Sequence, residues 1–536
     1  MQQSLEAVMS ALAADDIPTA VRLASEAVES GAENGLLLNL AAYGLQLERR
    51  YAESMELLTR ALELTPDDPL IHNAMGQLLS QQARVPEAAK AFEAALTLDP
   101  TLAPAHNGLG QALEVIGEYE LARVHFEHAA RYAPTFADPL GGLAALALQR
   151  KERGEARKFA GRALALDPFQ PSAAIALADA DLQDGALDAA EQRLRALLAH
   201  GNLAPLHEAS ASKLLGDVLD TRSDAAGAYN AYAAGNGLLR TVYRSQLEGA
   251  ESGIELTGRL RRHFKAAAPQ LWRSPEAPPG PDDPACHVFM MGFFRSGTTL
   301  LEQVLASHPR ISTLEERATL DGAVAEFFPS DEGLDALSTL PQARAEELRA
   351  DYWRKVRSHG VEPRGAVFVD KLPLSTLWTP LIAKLFPSAR ILFVRRDPRD
   401  VVLSCFRHRF NPTPLMHEFT DIDRAARFYA GVMALFEVYR EKLTLPVRIC
   451  RHEDLVHQFD EETQEICAFL GIAWKEEMRD FVETAKGRDI RTPSARQVTR
   501  GLYASGIGQW RAYAQAMPKA LEILAPWVER FGYPAS

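Results

Sequence analysis

Two kinds of apolar pattern divide the chain. Over roughly the first 245 residues, small and apolar positions recur with a beat of 34. Prolines stand at Pro66, Pro100, Pro134 and Pro168. Small residues stand at Ala42, Gly76, Gly110, Ala144 and Ala178, and twelve positions after each comes another: Ser54, Ala88, Ala122, Ala156 and Ala190. Seven further on lie Ala61, Ala95, Ala129 and Ala163, while Phe92 and Phe126 share one offset. A fixed period of this length predicts repeated helix pairs, with small residues where two helices approach and proline closing the second. One pair cannot bury its own apolar face, so the units stack. A weaker unit precedes residue 35, in phase through Ala20 and Ala27. Another follows near Gly216, Ala228 and Tyr232 after a slip of four residues, which makes about seven units.

From residue 285 the pattern changes. The stretch from Cys286 to Gly292 is a short apolar run ending in glycine, which predicts a buried strand. Helical spacing follows from Leu300 to Ala306. Further apolar runs at 366–369 and 391–394, each followed by a helical pattern, predict βαβ units around a parallel sheet. Residues 266–284 are proline-rich, including Pro278-Pro279-Gly280-Pro281, and predict a stiff connector. The expected organisation is a repeat domain over 1–245, a connecting helix and Pro-rich linker over 246–284, and an α/β domain over 285–536.

Charge sharpens this division. The 536 residues carry 58 basic and 71 acidic side chains, a net of −13. Residues 285–536 hold 33 of each sign, so the imbalance lies entirely in residues 1–284, with 25 basic and 38 acidic. Such a balance argues against nonspecific nucleic-acid binding. The four cysteines, Cys286, Cys405, Cys450 and Cys467, show neither disulfide nor metal-ligand spacing. No leader-like segment and no apolar stretch of the ~20 residues needed to cross a bilayer is present, so a cytoplasmic location away from membranes is expected.

Ligands of parallel sheets bind beyond the carboxyl ends of the strands, and three clusters fall there. Gly292-Phe293-Phe294-Arg295-Ser296-Gly297-Thr298-Thr299 has the spacing of a P-loop, with Thr298 in place of the lysine. Its backbone N–H groups can still cradle an anion at a helix start. Loss of the lysine argues against a kinase or NTPase. Asp370-Lys371-Leu372-Pro373 sets a lysine at a strand end. Arg395-Arg396-Asp397-Pro398-Arg399-Asp400, with Ser404 eight residues past Arg396, makes a second anion site. The competing readings are a plain glycine turn, a surface lysine, and a turn whose arginines pair with Asp397 and Asp400.

The repeat pattern resembles the tetratricopeptide repeat. Together, Arg295-Ser296-Gly297-Thr298-Thr299 and Arg396-Asp397-Pro398-Arg399-Asp400 through Ser404 resemble the sulfotransferases that use 3′-phosphoadenosine-5′-phosphosulfate (PAPS). Leu300-Leu301-Glu302-Gln303 to Ala306-Ser307-His308-Pro309 and the Asp-Lys-Leu-Pro tetrad look most like bacterial tetratricopeptide–sulfotransferase fusions, relatives of the tyrosylprotein sulfotransferases. The resemblance covers about 285–535 for the enzyme and the first 240 residues or so for the repeats. It implies an N-terminal all-α superhelix of tetratricopeptide repeats and a C-terminal α/β, P-loop-like sulfotransferase domain with a central parallel sheet.

It also implies roles. Arg295, Ser296, Gly297, Thr298 and Thr299 bind the 5′-phosphosulfate end of PAPS, and Arg396 and Ser404 grip the 3′-phosphate. Lys371 and Arg295 stabilise charge on the leaving phosphate without a metal, with the desulfated nucleotide PAP as product. Glu316, second of the pair Glu315-Glu316, is the base for the acceptor hydroxyl. Glu315 is the alternative base, and His308, His408 and His452 are others. A helix-capping role after Ser312-Thr313 competes for Glu316. Phe294 and His452 depart from the family, which usually has proline and tyrosine there. Thr492-Pro493-Ser494, Arg500 to Ser505 and Trp510-Arg511 look like the family's closing segment. The acceptor is open: peptide tyrosine, a sugar or a small molecule. The repeats act as spacer or dimerisation element, or as a groove for a peptide or protein partner. The contrasting reading is a repeat scaffold with a catalytically silent nucleotide-binding domain.

Overall fold

The computed structural model describes residues 2–201, 203–272, 284–363, 366–410, 413–486 and 506–535. Two compact units divide the chain, Met1–Glu248 and Gly249–Ser536. In the first, fourteen described helices run from Gln2–Ala13 to Ala225–Leu247 and pack as successive pairs, as tetratricopeptide repeats do. The 34-residue beat has a steric basis. Phe92 is wedged between two glycines, and a Cβ on Gly76 or Gly108 falls 2.6 or 2.3 Å from its ring. Phe126 sits the same way between Gly110 and Gly142. Each phenylalanine therefore locks its own pair to the next. Ser54, Ala88, Ala122, Ala156 and Ala190 are fully or almost fully buried where only small side chains fit. Within each pair the turn carries one residue of positive φ: Asp15, Arg49, Ala83, Gly117, Lys151 and Gly185, each 34 residues after the last, then Ser223 after the four-residue slip.

The second unit is built on a parallel five-stranded sheet of order β2-β3-β1-β4-β5. The strands are β1 (Cys286–Gly292), β2 (Ile311–Glu315), β3 (Val367–Lys371), β4 (Arg390–Arg395) and β5 (Val447–Arg451). Alternation along β1 feeds two cores. Val288 and Met290 join Leu301, Leu305, Cys450 and Leu470. Phe289 faces an aromatic layer with Tyr352 and Phe386. The expected runs at 286–292, 366–369 and 391–394 fall in β1, β3 and β4. β2 and β5 were not anticipated. Ser312-Thr313 lies within β2, so the helix cap proposed there does not form; the next helix begins at Asp321.

The helix Gly253–Ala266, read from sequence as part of a connector, packs within the second unit against Ile422–Lys442. Gly253 lies against Phe428, and Phe264 meets Tyr439 edge-on at 4.9 Å. The Pro278-Pro279-Gly280-Pro281 run lies outside the described residues. The four cysteines are free thiols. Among the described residues, no helix is long and apolar enough to cross a membrane, and no group of three or more ligating side chains is placed to hold a metal.

Candidate active site

The carboxyl ends of β1 to β5 gather the predicted residues, because a parallel sheet presents all these ends at one edge. β1 leaves the sheet at Gly292. A Cβ there falls 2.4 Å from the Val394 carbonyl oxygen, so β1 and β4 approach this closely only with glycine. The loop that follows is strained: Arg295 takes φ 64° and Gly297 φ 100°. A non-glycine residue at such φ costs about 1–3 kcal/mol and marks sites where geometry matters more than stability. Ser296, Thr298 and Thr299 are buried, and the helix Thr298–Ala306 starts directly after Gly297.

This loop is joined to the one after β4. Arg295 Nε donates to Ser404 Oγ at 3.1 Å, and Arg396 Nη1 donates to the Arg295 carbonyl at 3.2 Å. Arg396 also donates to the Gly506 carbonyl. The two predicted anion sites thus form one surface. The competing salt-bridged turn is realised at a different arginine. Arg399 is held by both oxygens of Asp397, at 3.0 and 2.8 Å, and its guanidinium lies 3.8 Å over the Trp510 ring. Asp400 accepts the N–H groups of Gly508 (2.6 Å) and Trp510 (2.9 Å). Arg399 and Asp400 therefore fasten the C-terminal segment, while Arg396 faces the loop. Trp510 is a buried anchor; Thr492 to Ser494 and Arg500 to Ser505 lie outside the described residues.

Lys371 ends β3 directly opposite Glu315, the last residue of β2. Glu316 follows at φ 41° and is attached to Lys371 twice. Its backbone N–H donates to the Lys371 carbonyl at 2.8 Å, and its carboxylate accepts from Lys371 Nζ at 2.8 Å. The Lys371 side chain is fully buried, so the surface-lysine alternative is excluded. Glu302 Oε2 lies 3.2 Å and Glu315 Oε1 3.8 Å from the same ammonium. Burial pushes the Lys371 pKa down, but Glu302, Glu316 and Glu315 more than offset it and hold it above the ordinary lysine value. Glu302 was not singled out from sequence. The only signal was a carboxylate inside Leu300-Leu301-Glu302-Gln303-Val304-Leu305, an otherwise buried run.

Behind Lys371, burial raises the Asp370 carboxyl to about 6, although it accepts hydrogen bonds from Tyr352 (2.8 Å) and Thr319 (3.0 Å). Two histidines proposed as alternative bases are placed for other work. His308 bonds the Ala473 carbonyl at 2.9 Å and accepts the Arg310 N–H at 3.1 Å. His452 is half-buried beside Gly297, where a Cβ falls 2.4 Å from its Nδ1. Burial and then Arg396 lower its pKa to about 3. His408 stacks edge-on to Phe410 at 4.8 Å. Phe294, in place of the family's proline, packs against Phe410 and Phe419.

The second unit is thus an α/β domain whose parallel sheet carries, at its carboxyl edge, a lysine-free glycine loop, an arginine loop and a buried lysine among carboxylates. Residues 287–476 match the family model described as the sulfotransferase family, so the C-terminal half carries a domain of that family. The chain is 25% identical to an uncharacterized protein of Aquifex aeolicus (strain VF5) over 44% of its length, which spans 32% of that protein. It is 22% identical to a putative protein-tyrosine sulfotransferase of Caenorhabditis briggsae, over 46% of this chain and 89% of that one. With protein-tyrosine sulfotransferase 2 of Gallus gallus it shares 24% identity, over 46% and 69% of the two chains. Among solved structures, a tetratricopeptide repeat protein from Parabacteroides merdae aligns with 44% of this chain and 92% of its own, at 14% identity and a TM-score of 0.34.

Proposed function

We propose that this protein transfers a sulfuryl group from PAPS to an acceptor hydroxyl, with the repeats recruiting the acceptor or a protein partner. The observation that carries this reading is the pair formed by the buried Lys371 and the part-exposed Glu316, beside the helix that begins at the Arg295–Thr299 loop. The donor set suits the phosphates and sulfate of PAPS. Arg295 and Arg396 meet at that edge, and Arg396 Nε and His452 Nδ1 are buried with no hydrogen-bond partner among the described residues. In this reading the loop residues Arg295 to Thr299 hold the 5′-phosphosulfate, and Arg396 and Ser404 the 3′-phosphate. The bond from sulfur to the 5′-phosphate oxygen breaks as the bond to the acceptor oxygen forms. Glu316 takes the acceptor's proton, with Glu315 next in reach. Lys371 and Arg295 neutralise the charge that builds on the departing phosphate, and PAP leaves.

Purified protein given sulfur-labelled PAPS and tyrosine peptides, sugars and small phenols should label at least one class, and calorimetry should detect PAP. The absence of both labelling and binding would sink the reading. Binding with no transfer to any acceptor would favour the silent scaffold.

A further inference from the structure

Glu302 needs an explanation that neither the fold nor the roles above supply. It lies in the helix Thr298–Ala306 among Leu300, Leu301, Val304 and Leu305, and it is fully buried. Burying a carboxylate is costly unless it is paired and hydrogen-bonded. Here one oxygen is hydrogen-bonded, and the other is ion-paired without a hydrogen bond. Oε1 accepts the Thr313 hydroxyl at 3.2 Å, and Oε2 lies 3.2 Å from Lys371 Nζ. The ammonium therefore sits between a fixed carboxylate below it, on the helix that carries the anion loop, and the part-exposed carboxylate of Glu316 above it.

In sulfuryl transfer the two carboxylates have different duties. Glu316 has to give up its bond from Lys371 to receive the acceptor's proton, and Lys371 then turns to the phosphate oxygen. At that moment only a partner outside the reaction keeps the ammonium in place. We infer that Glu302 is a positioning residue: it anchors Lys371 to the loop helix while Glu316 lets go, so that base and lysine act together without the lysine swinging out of line. This rests on the sulfotransferase reading. The groups facing the ammonium are Glu302 from the helix and Glu315 and Glu316 from the end of β2; Asp370, next to it on β3, points to the opposite face of the sheet, onto Tyr352 and Thr319.

The test compares Glu302→Gln with the wild type in the full chain. Gln keeps the shape and the Thr313 bond but removes the charge. Turnover is expected to fall about 100-fold, as for a reacting group displaced by about 1 Å, with KM for donor and calorimetric affinity for PAP within about twofold. Because Glu302 helps to hold the lysine proton, the alkaline limb of the pH–rate profile should move to lower pH. Glu302→Asp, which restores the charge, should recover part of the turnover and move the limb back. Thr313→Val, which only loosens Glu302, should give a smaller change in the same sense and serves if Glu302→Gln does not fold. A variant with unchanged turnover and pH profile overturns the inference. So does one that only melts earlier, with its pH profile in place. If the wild type neither binds PAP nor turns over, the sulfotransferase reading falls and this inference with it. If the wild type works and Glu302→Gln matches it, the inference falls alone.

Discussion

Lys371 and Glu316 hold each other by backbone and by side chain, and this double attachment explains why a strained φ of 41° persists at Glu316. Replacing Lys371 by Ala is expected to remove turnover by about three orders of magnitude, as loss of a charge-stabilising donor does. PAP binding should remain measurable by calorimetry. Gly297 is the second sensitive point. Gly297→Ala puts a methyl group at φ 100° and against His452, so it should lower stability by about 1–2 kcal/mol and weaken PAP binding in the same assays. At this scale the sequence was legible wherever a residue type stood at a strand end: Arg295, Lys371 and Arg396 are all at the predicted edge. Glu302 was not legible, because a charge on an apolar helix face reads as core or surface until its partner, 69 positions away, is in place. Arg399 likewise read as one more cation near the nucleotide, and only packing shows it spent on Asp397 and Trp510.

At the scale of elements, β1, β3 and β4 were readable as continuous apolar runs because they are buried on both faces. β2 and β5 are the outer strands, short and mixed in polarity, so Ile-Ser-Thr-Leu-Glu and Val-Arg-Ile-Cys-Arg carry little strand signal. In the repeats the helix-packing positions were visible as small residues, whereas the turn positions were not. Asp15, Arg49, Ala83, Gly117 and Lys151 share a left-handed backbone but no residue type. Gly117→Ala should therefore cost about 1–2 kcal/mol, read as a lower urea midpoint. The pair Tyr119–Tyr132 and Ala103–Ile116 also carries a pH-sensitive contact. His106 Nδ1 and His125 Nδ1 lie 2.9 Å apart, so one ring donates and the other accepts. Burial, and then neighbouring imidazoles, hold both pKa values below the ordinary histidine value. The unfolded chain takes up protons as pH falls past about 6.5, while the folded pair resists. Stability present above that pH is therefore lost as pH falls toward the folded values. Far-UV circular dichroism in urea should show the repeat unit weakening between about pH 7 and 5, and His125→Gln should flatten the dependence.

At the scale of the whole molecule, the imbalance of charge is confined to the N-terminal part of the sequence. The first 284 residues carry 25 basic and 38 acidic side chains against an even 33 and 33 in the rest. If the repeats recruit the acceptor, KM for a basic peptide should rise between about 0.05 and 0.5 M salt as screening shortens the reach of that field, and KM for an acidic peptide should fall. Initial rates at the two salt concentrations decide it. The far end of the chain matters in a different way. Arg399 donates to the carbonyls of Pro534 (2.7 Å) and Ala535 (2.9 Å), while Tyr533 donates to Glu453 at 2.9 Å and lies 4.6 Å beneath the Arg451 guanidinium. These last residues brace the loop that carries Arg396. Trimming the protein after Gly532, by design or by a carboxypeptidase, would strip a buried guanidinium of two acceptors without touching any residue assigned to PAPS. For anyone building shortened or fused versions of this protein, a cut at 532 counts as a change to the arginine loop proposed to hold the 3′-phosphate.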